Sequence, residues 1–250
     1  MKISYYLINL DSSVERLQQA DAELRKHNIE YERISAVDGR QLDVKTYYNY
    51  DSVQANKLMG RDLLGGEIGC YLSHLKCLES FLASDSDYVV VLEDDLEIIS
   101  NLQLLVQESL VWMKAQHVEW YLLNIGRQKR KFSRKIHQVG QHDLLKAYYF
   151  PVRTLGLVWS RVGATLFLQQ QNKISAPIDV ALQVWLSKNG KGLSFMPALV
   201  QPNGAESDID TKKNNKIPQQ IALRTKGNRL PRHKRILTNK YYALMNFLFR

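Results

Sequence analysis

Strand and helix patterns alternate along most of this chain, and this alternation limits its possible folds more than any other feature. A first strand pattern covers residues 3–10, a helix pattern follows over 11–27, and a second strand pattern covers 31–37. Two strands joined through a helix run parallel in one sheet. The sequence therefore predicts an α/β fold that opens with a β-α-β unit, without internal repeats or a clear second domain.

The most hydrophobic strand pattern covers residues 88–92 and runs directly into Glu93, Asp94 and Asp95. In open α/β sheets, ligands bind beyond the carboxyl ends of the strands. Because side chains alternate along a strand, we expect Glu93 and Asp95 on one side and Asp94 on the other. Two carboxylates on one side suit Mg²⁺ or Mn²⁺, which prefer oxygen ligands. The alternative is an acidic turn that only caps the following helix.

Cys70 and Cys77 are the two cysteines of the chain, and both fall in one helix pattern. Seven helical residues separate them by about 10 Å along the axis, which is more than a disulfide can span. We therefore predict two reduced thiols, as is typical of cytoplasmic proteins. The N-terminal stretch is too short and too polar for a signal peptide. Every apolar run is far shorter than the roughly 20 residues of a membrane-spanning helix.

Positive charge is concentrated towards the C-terminus. The chain has 34 Lys and Arg against 25 Asp and Glu, which is a formal net charge of +9. Residues 211–250 hold eleven of the basic residues and no acidic one, so charges nearly balance over residues 1–210. We predict a folded domain over residues 1–210 and a basic tail over 211–250.

The basic tail has two parts. Residues 212–229 are polar, whereas 232–250 fit a basic amphipathic helix with these apolar side chains on one side: Ile236, Leu237, Tyr241, Leu244 and Leu248. Such a helix lies in a membrane interface and is attracted by anionic lipids. The alternative is a helix that packs on the folded domain. Nucleic acid is disfavoured as a partner, because the aromatic residues of the tail do not alternate with its basic ones.

Six short motifs occur in one order between residues 3 and 210, and together they resemble glycosyltransferase family 25. This family contains bacterial lipopolysaccharide and lipooligosaccharide galactosyltransferases, which are related to the collagen glycosyltransferases. The motifs are Ile8-Asn9-Leu10 with Arg16, Ala36-Val37-Asp38-Gly39, Gly66-Glu67-Ile68-Gly69-Cys70 with Ser73-His74, Val91-Leu92-Glu93-Asp94-Asp95, Pro177-Ile178-Asp179, and Glu206-Ser207-Asp208-Ile209.

The resemblance implies a GT-A fold over residues 1–210 and an inverting transfer of a hexose from a UDP-sugar, with UDP-galactose as the favoured donor. The implied acceptor is a sugar hydroxyl of a lipid-linked lipopolysaccharide or lipooligosaccharide core. Such an enzyme would lie on the cytoplasmic face of the inner membrane, held to anionic lipids by the tail. Glu93-Asp94-Asp95 stands where GT-A families have an Asp-x-Asp motif. Asp95 is then the first choice as a ligand of Mn²⁺ or Mg²⁺, and Glu93 contacts the metal, a water ligand or the ribose.

The acceptor hydroxyl needs a general base, and comparison with the family suggests Asp179. The alternative for Asp179 is an N-cap residue at the start of a helix. Glu67 is the second candidate, either as a base or as an acceptor contact. Its alternative is a first-turn glutamate that the helix dipole favours.

The resemblance also predicts that the nucleotide lies along the first β-α-β unit. The expected contacts are the backbone near Asn9 and Leu10, the side chains of Arg16 and Asp38, and further Ala36, Gly39, Glu93, Asp94 and His74. The alternative for Arg16 is a surface helix residue, and the alternative for Asp38-Gly39 is a simple turn.

His74 shares a predicted helix face with Cys70, Ser73 and Cys77. A zinc site on this face is disfavoured, because the two cysteines lie about 10 Å apart along the axis and zinc needs each sulfur at about 2.3 Å. We expect a packing face of small residues, and the resemblance implies that His74 lies near the substrate.

Two further alternatives stay open. Six of the nine residues from 127 to 135 are basic, which indicates either a solvated loop or a contact to anionic groups of the acceptor. A metal-dependent nucleotidyltransferase would also place paired carboxylates at a strand end, although the chain has no P-loop motif. Glucose and N-acetylhexosamine are the alternative sugars within the family.

Overall fold

The computed structural model describes residues 1–126, 130–170, 173–204 and 229–249. Its strands are β1 (Ile3–Asn9), β2 (Glu32–Ser35), β3 (Tyr88–Glu93), β4 (Leu96–Ile98), β5 (Leu122–Asn124), β6 (Arg134–Val139), β7 (His142–Lys146), β8 (Gly156–Ser160), β9 (Gly192–Met196) and β10 (Val200–Pro202). Its α-helices are α1 (Val14–Lys26), α2 (Ser52–Met59), α3 (Gly65–Ala83), α4 (Leu102–Ala115), α5 (Arg161–Gln169), α6 (Ile178–Asn189) and α7 (Arg229–Phe249).

A mixed sheet of eight strands forms the centre of the molecule, in the spatial order β2-β1-β3-β8-β5-β9-β7-β6. β1 pairs in parallel with both β2 and β3, and α1 forms the connection between β1 and β2. β8 is antiparallel to both of its neighbours, β3 and β5. The predicted α/β fold that opens with a β-α-β unit is therefore confirmed.

Alternate residues of the central strands enter two separate cores. Tyr5 and Leu7 of β1 pack on one face of the sheet with residues of α1 and α4, whereas Tyr6 and Ile8 pack on the other face with residues of α3, α5 and α6. Residues 89–92 of β3 are completely buried. Burial of such side chains contributes about 1.5–3 kcal/mol each, so β3 is held firmly and its acidic end has a defined position.

The first turns of α3 touch the loop after β2 through backbone atoms. A Cβ atom on Gly39 would lie 1.8 Å from the carbonyl oxygen of Gly65, and one on Gly69 would lie 2.5 Å from that of Val37. Only glycine permits such close approach. Ser73 adds a hydrogen bond, because its Oγ accepts from the Val37 N–H at 2.9 Å. Helix α3 and this loop therefore form one rigid wall.

The acidic turn does not cap a helix, so that alternative is wrong. Asp95 is followed by β4, which pairs with β10. The next helix, α4, begins only at Leu102, and its cap is Asn101, whose Oδ1 accepts a hydrogen bond from the Leu104 N–H at 3.2 Å.

The basic run proves to be partly strand, since Arg134 and Lys135 begin β6. Arg127 and Lys129 of this run lie outside the described residues, as do Glu206-Ser207-Asp208-Ile209 and the polar part of the tail up to residue 228. In the part of the chain that the structure describes, every helix is too short or too polar to cross a membrane.

Candidate active site

An open cleft lies at the carboxyl ends of β1 and β3, next to the start of α3. Predicted site residues that line it are Asn9, Leu10, Arg16, Ala36, Asp38, Gly39, Glu93, Asp94 and Asp95. Residues from three separate parts of the sequence thus meet at one place, which is the position where open α/β sheets bind ligands.

Asp94 points towards β1 and α1, where it is buried. Its carboxylate accepts a hydrogen bond from Asn9 Nδ2 at 2.7 Å and forms an ion pair with Arg16. Arg33 holds Asn9 in turn, with its Nε donating to Asn9 Oδ1 at 3.1 Å. Because Asp94 balances the charge of Arg16, these residues chiefly tie the end of β3 to the start of α1. Their predicted contact with the nucleotide stays a prediction.

Glu93 points the other way, towards α3, as the alternation of side chains predicts. Its Oε1 accepts a hydrogen bond from Thr154 Oγ1 at 2.6 Å and lies 3.2 Å from His74 Nε2. Burial by itself would raise the pKa of Glu93, but the contacts with His74 and Thr154 hold that pKa below its ordinary value. Glu93 is therefore an ionised carboxylate at neutral pH.

Asp95 has one carboxylate oxygen that the described part of the protein leaves unsatisfied. Its Oδ1 is buried and has no hydrogen-bond partner among the described residues. Burial and the charge of Glu93 raise the pKa of Asp95 to about 6. An unsatisfied buried carboxylate oxygen is costly, and a hard divalent cation would remove that cost. The donor set of Asp95 and Glu93 therefore fits Mg²⁺ or Mn²⁺.

Asp179 lies in the first turn of α6, although the cap position of this helix is occupied by Pro177. Its Oδ1 accepts a hydrogen bond from the Val180 N–H at 2.7 Å, and the Arg153 N–H also donates to its carboxylate. Burial raises the pKa of Asp179, with a further contribution from the charge of Glu93. Asp179 is thus a carboxylate that accepts protons more readily than an exposed aspartate, close to the acidic end of β3.

Both carboxylate oxygens of Glu67 accept hydrogen bonds from the protein. Its two oxygens accept hydrogen bonds from Arg61 at 2.6 and 2.8 Å, and Oε2 also accepts from the Leu64 N–H at 2.9 Å. A general base needs a free oxygen facing the substrate. The structure therefore favours the first-turn alternative for Glu67 over the role of a base or acceptor contact.

The loop around Asp38 combines both of its predicted alternatives. Asp38 lines the cleft, and it also caps the short 3-10 helix Gly39–Gln41 by accepting from the Arg40 N–H at 3.0 Å. Hydrogen bonds from the Arg40 side chain lower the pKa of Asp38. Asp38 is therefore an ionised residue of a turn that faces the cleft.

Arg153 and Thr154 were missed by the sequence analysis. Arg153 has a φ of 86°, which non-glycine residues rarely adopt, and its carbonyl accepts from Asn124 Nδ2 at 2.9 Å. This conformation costs on the order of 1–3 kcal/mol and is typical of functional sites. It brings the Arg153 N–H to Asp179 and the Thr154 hydroxyl to Glu93, so one short segment orders both carboxylates.

Helix α7 packs on the body and also exposes an apolar stripe. Asn239, Ala243 and Asn246 are buried, and Asn246 Nδ2 donates to the Ser187 carbonyl at 2.9 Å. The outward stripe has exposed fractions of 66% at Leu237, 58% at Tyr241, 46% at Leu244 and 58% at Leu248. The predicted amphipathic helix therefore exists, and its packed face combines small and amide side chains with Phe247, whose ring lies 5.1 Å from that of Phe132. The boundary near residue 210 and the membrane contact stay predictions.

A sequence model of glycosyltransferase family 25 (LPS biosynthesis protein) matches residues 2–182. Procollagen galactosyltransferase 1 of Danio rerio is 29% identical over 194 residues, which cover 74% of this chain and 31% of the relative. A glycosyltransferase 25 family member of Aedes aegypti is 31% identical over 175 residues, covering 66% and 28% of the two chains. The human inactive glycosyltransferase 25 family member 3 is 26% identical over 189 residues, covering 74% and 32%. The chain spans about a third of the length of these curated relatives.

Among solved structures, S. aureus TarS 1-349 superposes with a TM-score of 0.43 and 12% identity, covering 81% of this chain and 60% of TarS. A197 from STIV superposes with a TM-score of 0.36 and 14% identity, covering 78% and 81%. The family match, together with a mixed central sheet flanked by helices, agrees with the GT-A type of α/β fold that the sequence predicted.

Proposed function

The chain belongs to glycosyltransferase family 25, and we propose that it transfers galactose from UDP-galactose, with inversion, to a sugar hydroxyl of a lipopolysaccharide or lipooligosaccharide core. The observation that carries this proposal is the buried, unpartnered oxygen of Asp95 beside ionised Glu93 at the carboxyl end of β3. Because four relatives are named inactive or probable inactive, family membership alone is insufficient, and activity is argued from these residues.

Asp95 and Glu93 would hold the divalent cation, which neutralises the charge of the donor diphosphate as a Lewis acid. The charge of this cation would compensate the two neighbouring carboxylates, since one oxygen of Asp95 lacks a hydrogen-bond partner among the described residues. The wall formed by α3 and the loop of residues 36–39 would position the nucleotide, since Ala36 and Asp38 line the same cleft.

Asp179 would act as the general base. The acceptor oxygen forms a bond to C1 of the sugar, the bond from C1 to the diphosphate oxygen breaks, and the hydroxyl proton moves to the Asp179 carboxylate. The raised pKa of Asp179, which burial causes, favours this proton uptake. Hydrogen bonds from the Val180 and Arg153 backbone N–H groups orient the carboxylate.

The C-terminal helix would hold the enzyme to an anionic membrane that carries its lipid-linked acceptor. Leu237, Tyr241 and Leu248 belong to the outward stripe of α7, and Lys234 and Lys240 are exposed on the same helix. Apolar side chains flanked by lysines are typical of helices that lie in a membrane interface. In this proposal residues 1–210 form the catalytic domain and 211–250 the membrane-associated tail.

A donor screen tests the proposed function. UDP-sugars are added with Mn²⁺, and both thermal stabilisation and UDP release in the presence of an acceptor core oligosaccharide are measured. We expect stabilisation by UDP compounds only, release with UDP-galactose, and no release in EDTA or in Asp95→Asn. Full turnover in EDTA would refute the metal role. Release of pyrophosphate from a nucleoside triphosphate would favour a nucleotidyltransferase, and preference for UDP-glucose or a UDP-N-acetylhexosamine would replace galactose as the donor sugar.

A further inference from the structure

Three side chains from α3 and the end of β3 form a mixed set of metal-binding atoms. Cys70 Sγ, His74 Nε2 and Glu93 Oε1 have ligand atoms that lie within 4.8 Å of one another. We propose that these residues form a second cation site, one that binds Zn²⁺ or a similar thiolate-binding divalent metal.

The distance between His74 and Glu93 is close to that in a tetrahedral zinc site, whereas Cys70 lies somewhat farther from Glu93. With metal–ligand bonds of about 2.0–2.3 Å, neighbouring ligand atoms are separated by about 3.3–3.6 Å. His74 Nε2 lies 3.2 Å from Glu93 Oε1, and Cys70 Sγ lies 4.0 Å from the same oxygen. A small movement of the Cys70 side chain would complete this geometry.

The fold holds these ligands in place without the metal. Cys70 and His74 are one turn apart on α3, so both project from one helix face. His74 has an exposed fraction of only 2%, and Thr154 fixes Glu93 through its 2.6 Å hydrogen bond. Such second-layer hydrogen bonds orient metal ligands. Cys70 and Glu93 also line the cleft, so the fourth position of a bound metal would face water or substrate.

The chemistry of the donor set separates this site from that of Asp95. One sulfur and one imidazole nitrogen favour zinc, whereas Mg²⁺ and Mn²⁺ prefer oxygen ligands. Metal binding would release the Cys70 thiol proton to solvent. Glu93 belongs to both sites. If the proposed transferase function is right, zinc would therefore withdraw Glu93 from the donor site and inhibit transfer.

Cobalt absorption tests the site without an activity assay. Co²⁺ is added to the full, reduced, metal-free chain, and the near-ultraviolet band from thiolate-to-cobalt charge transfer is recorded. We expect a saturable band at one Co²⁺ per chain that Zn²⁺ abolishes. Cys70→Ala should lose the band. Cys77→Ala is the matched control and should keep it, because Cys77 lies on the same helix but is fully buried in the core.

His74→Gln keeps both thiols and should weaken Co²⁺ binding at least tenfold. If circular dichroism shows that Cys70→Ala does not fold, His74→Gln tests the metal site in its place. Asp95→Asn should keep the band. A wild-type protein without the band would overturn the proposal, as would a folded Cys70→Ala variant that keeps it or a folded Asp95→Asn variant that loses it. A protein that shows the Cys70-dependent band but transfers no sugar would refute the proposed function and leave the metal site standing.

Discussion

Replacement of Asp95 by asparagine should stabilise the metal-free protein while it removes the cation site. Burial and the nearby charge of Glu93 raise the pKa of Asp95 from 3.8 to about 6. One pKa unit corresponds to about 1.4 kcal/mol. The rise of about two units therefore means that ionised Asp95 destabilises the native state by about 3 kcal/mol at most. Relaxation and solvent reduce this figure, and we expect a gain of about 1.5–3 kcal/mol at neutral pH.

The gain should depend on pH in a defined direction. The native state holds the Asp95 proton more tightly than the unfolded chain, so wild-type stability falls as pH rises from about 4 through about 6. The asparagine of the variant cannot ionise. The difference between the two proteins should therefore be near zero at about pH 4 and reach its full size above about pH 7.

Urea unfolding in EDTA at several pH values measures this difference, and Mn²⁺ should then stabilise the wild type but not Asp95→Asn. Asp94→Asn is the matched control. Asp94 is paired with Arg16 and Asn9, so its replacement should destabilise the protein by about 1–3 kcal/mol. Equal stability of Asp95→Asn and wild type above pH 7, or a gain that does not change with pH, would refute this reasoning.

Three further predictions concern the proposed base Asp179, the ion pair of Arg61 with Glu67, and the C-terminal helix α7. Asp179→Asn should keep its UDP affinity but lower kcat by about two or more orders of magnitude. Wild-type kcat should fall as pH drops through the raised pKa of Asp179, and near-normal rates in the variant would remove Asp179 as the base. Arg61→Gln should lower the free energy of unfolding by about 3–5 kcal/mol in chemical denaturation, because Arg61 and Glu67 are only 11% and 9% exposed; an unchanged midpoint would contradict this. Replacement of Leu237, Tyr241 and Leu248 by glutamate should weaken binding to anionic vesicles at least tenfold in sedimentation assays. The control is Val111→Glu, at an exposed residue of α4, which should leave binding unchanged. Equal effects would contradict a membrane role for α7.

Local patterns in the sequence predicted the elements that carry the site. The β-branched run of β3 and the alternation of its side chains predicted that Glu93 and Asp94 point to opposite sides, and the structure pairs them with His74 of α3 and Arg16 of α1. The family motifs predicted which residues line the cleft, and most of them do. These features depend on short-range geometry, which a single sequence contains.

Contacts between distant segments could not be predicted in the same way. Thr154 reaches Glu93 only because β8 runs antiparallel to β3 and begins where β3 ends. No periodicity in residues 150–156 indicates that direction. The same limit applies to the proposed zinc site. The spacing of Cys70 and Cys77 argues against a site with both cysteines, but it could not show that Glu93 of another element lies beside Cys70 and His74.

The backbone contact between α3 and the loop of residues 36–39 has a consequence for engineering. At Gly39, Gly65 and Gly69 even a methyl group would overlap a main-chain atom of the opposing segment, so any larger residue must widen the cleft on this side. Attempts to alter sugar or acceptor preference should keep these three glycines and diversify other segments near the site. Arg153 is one such position, because it presents an exposed side chain on a backbone that Asn124 and Asp179 already hold in place.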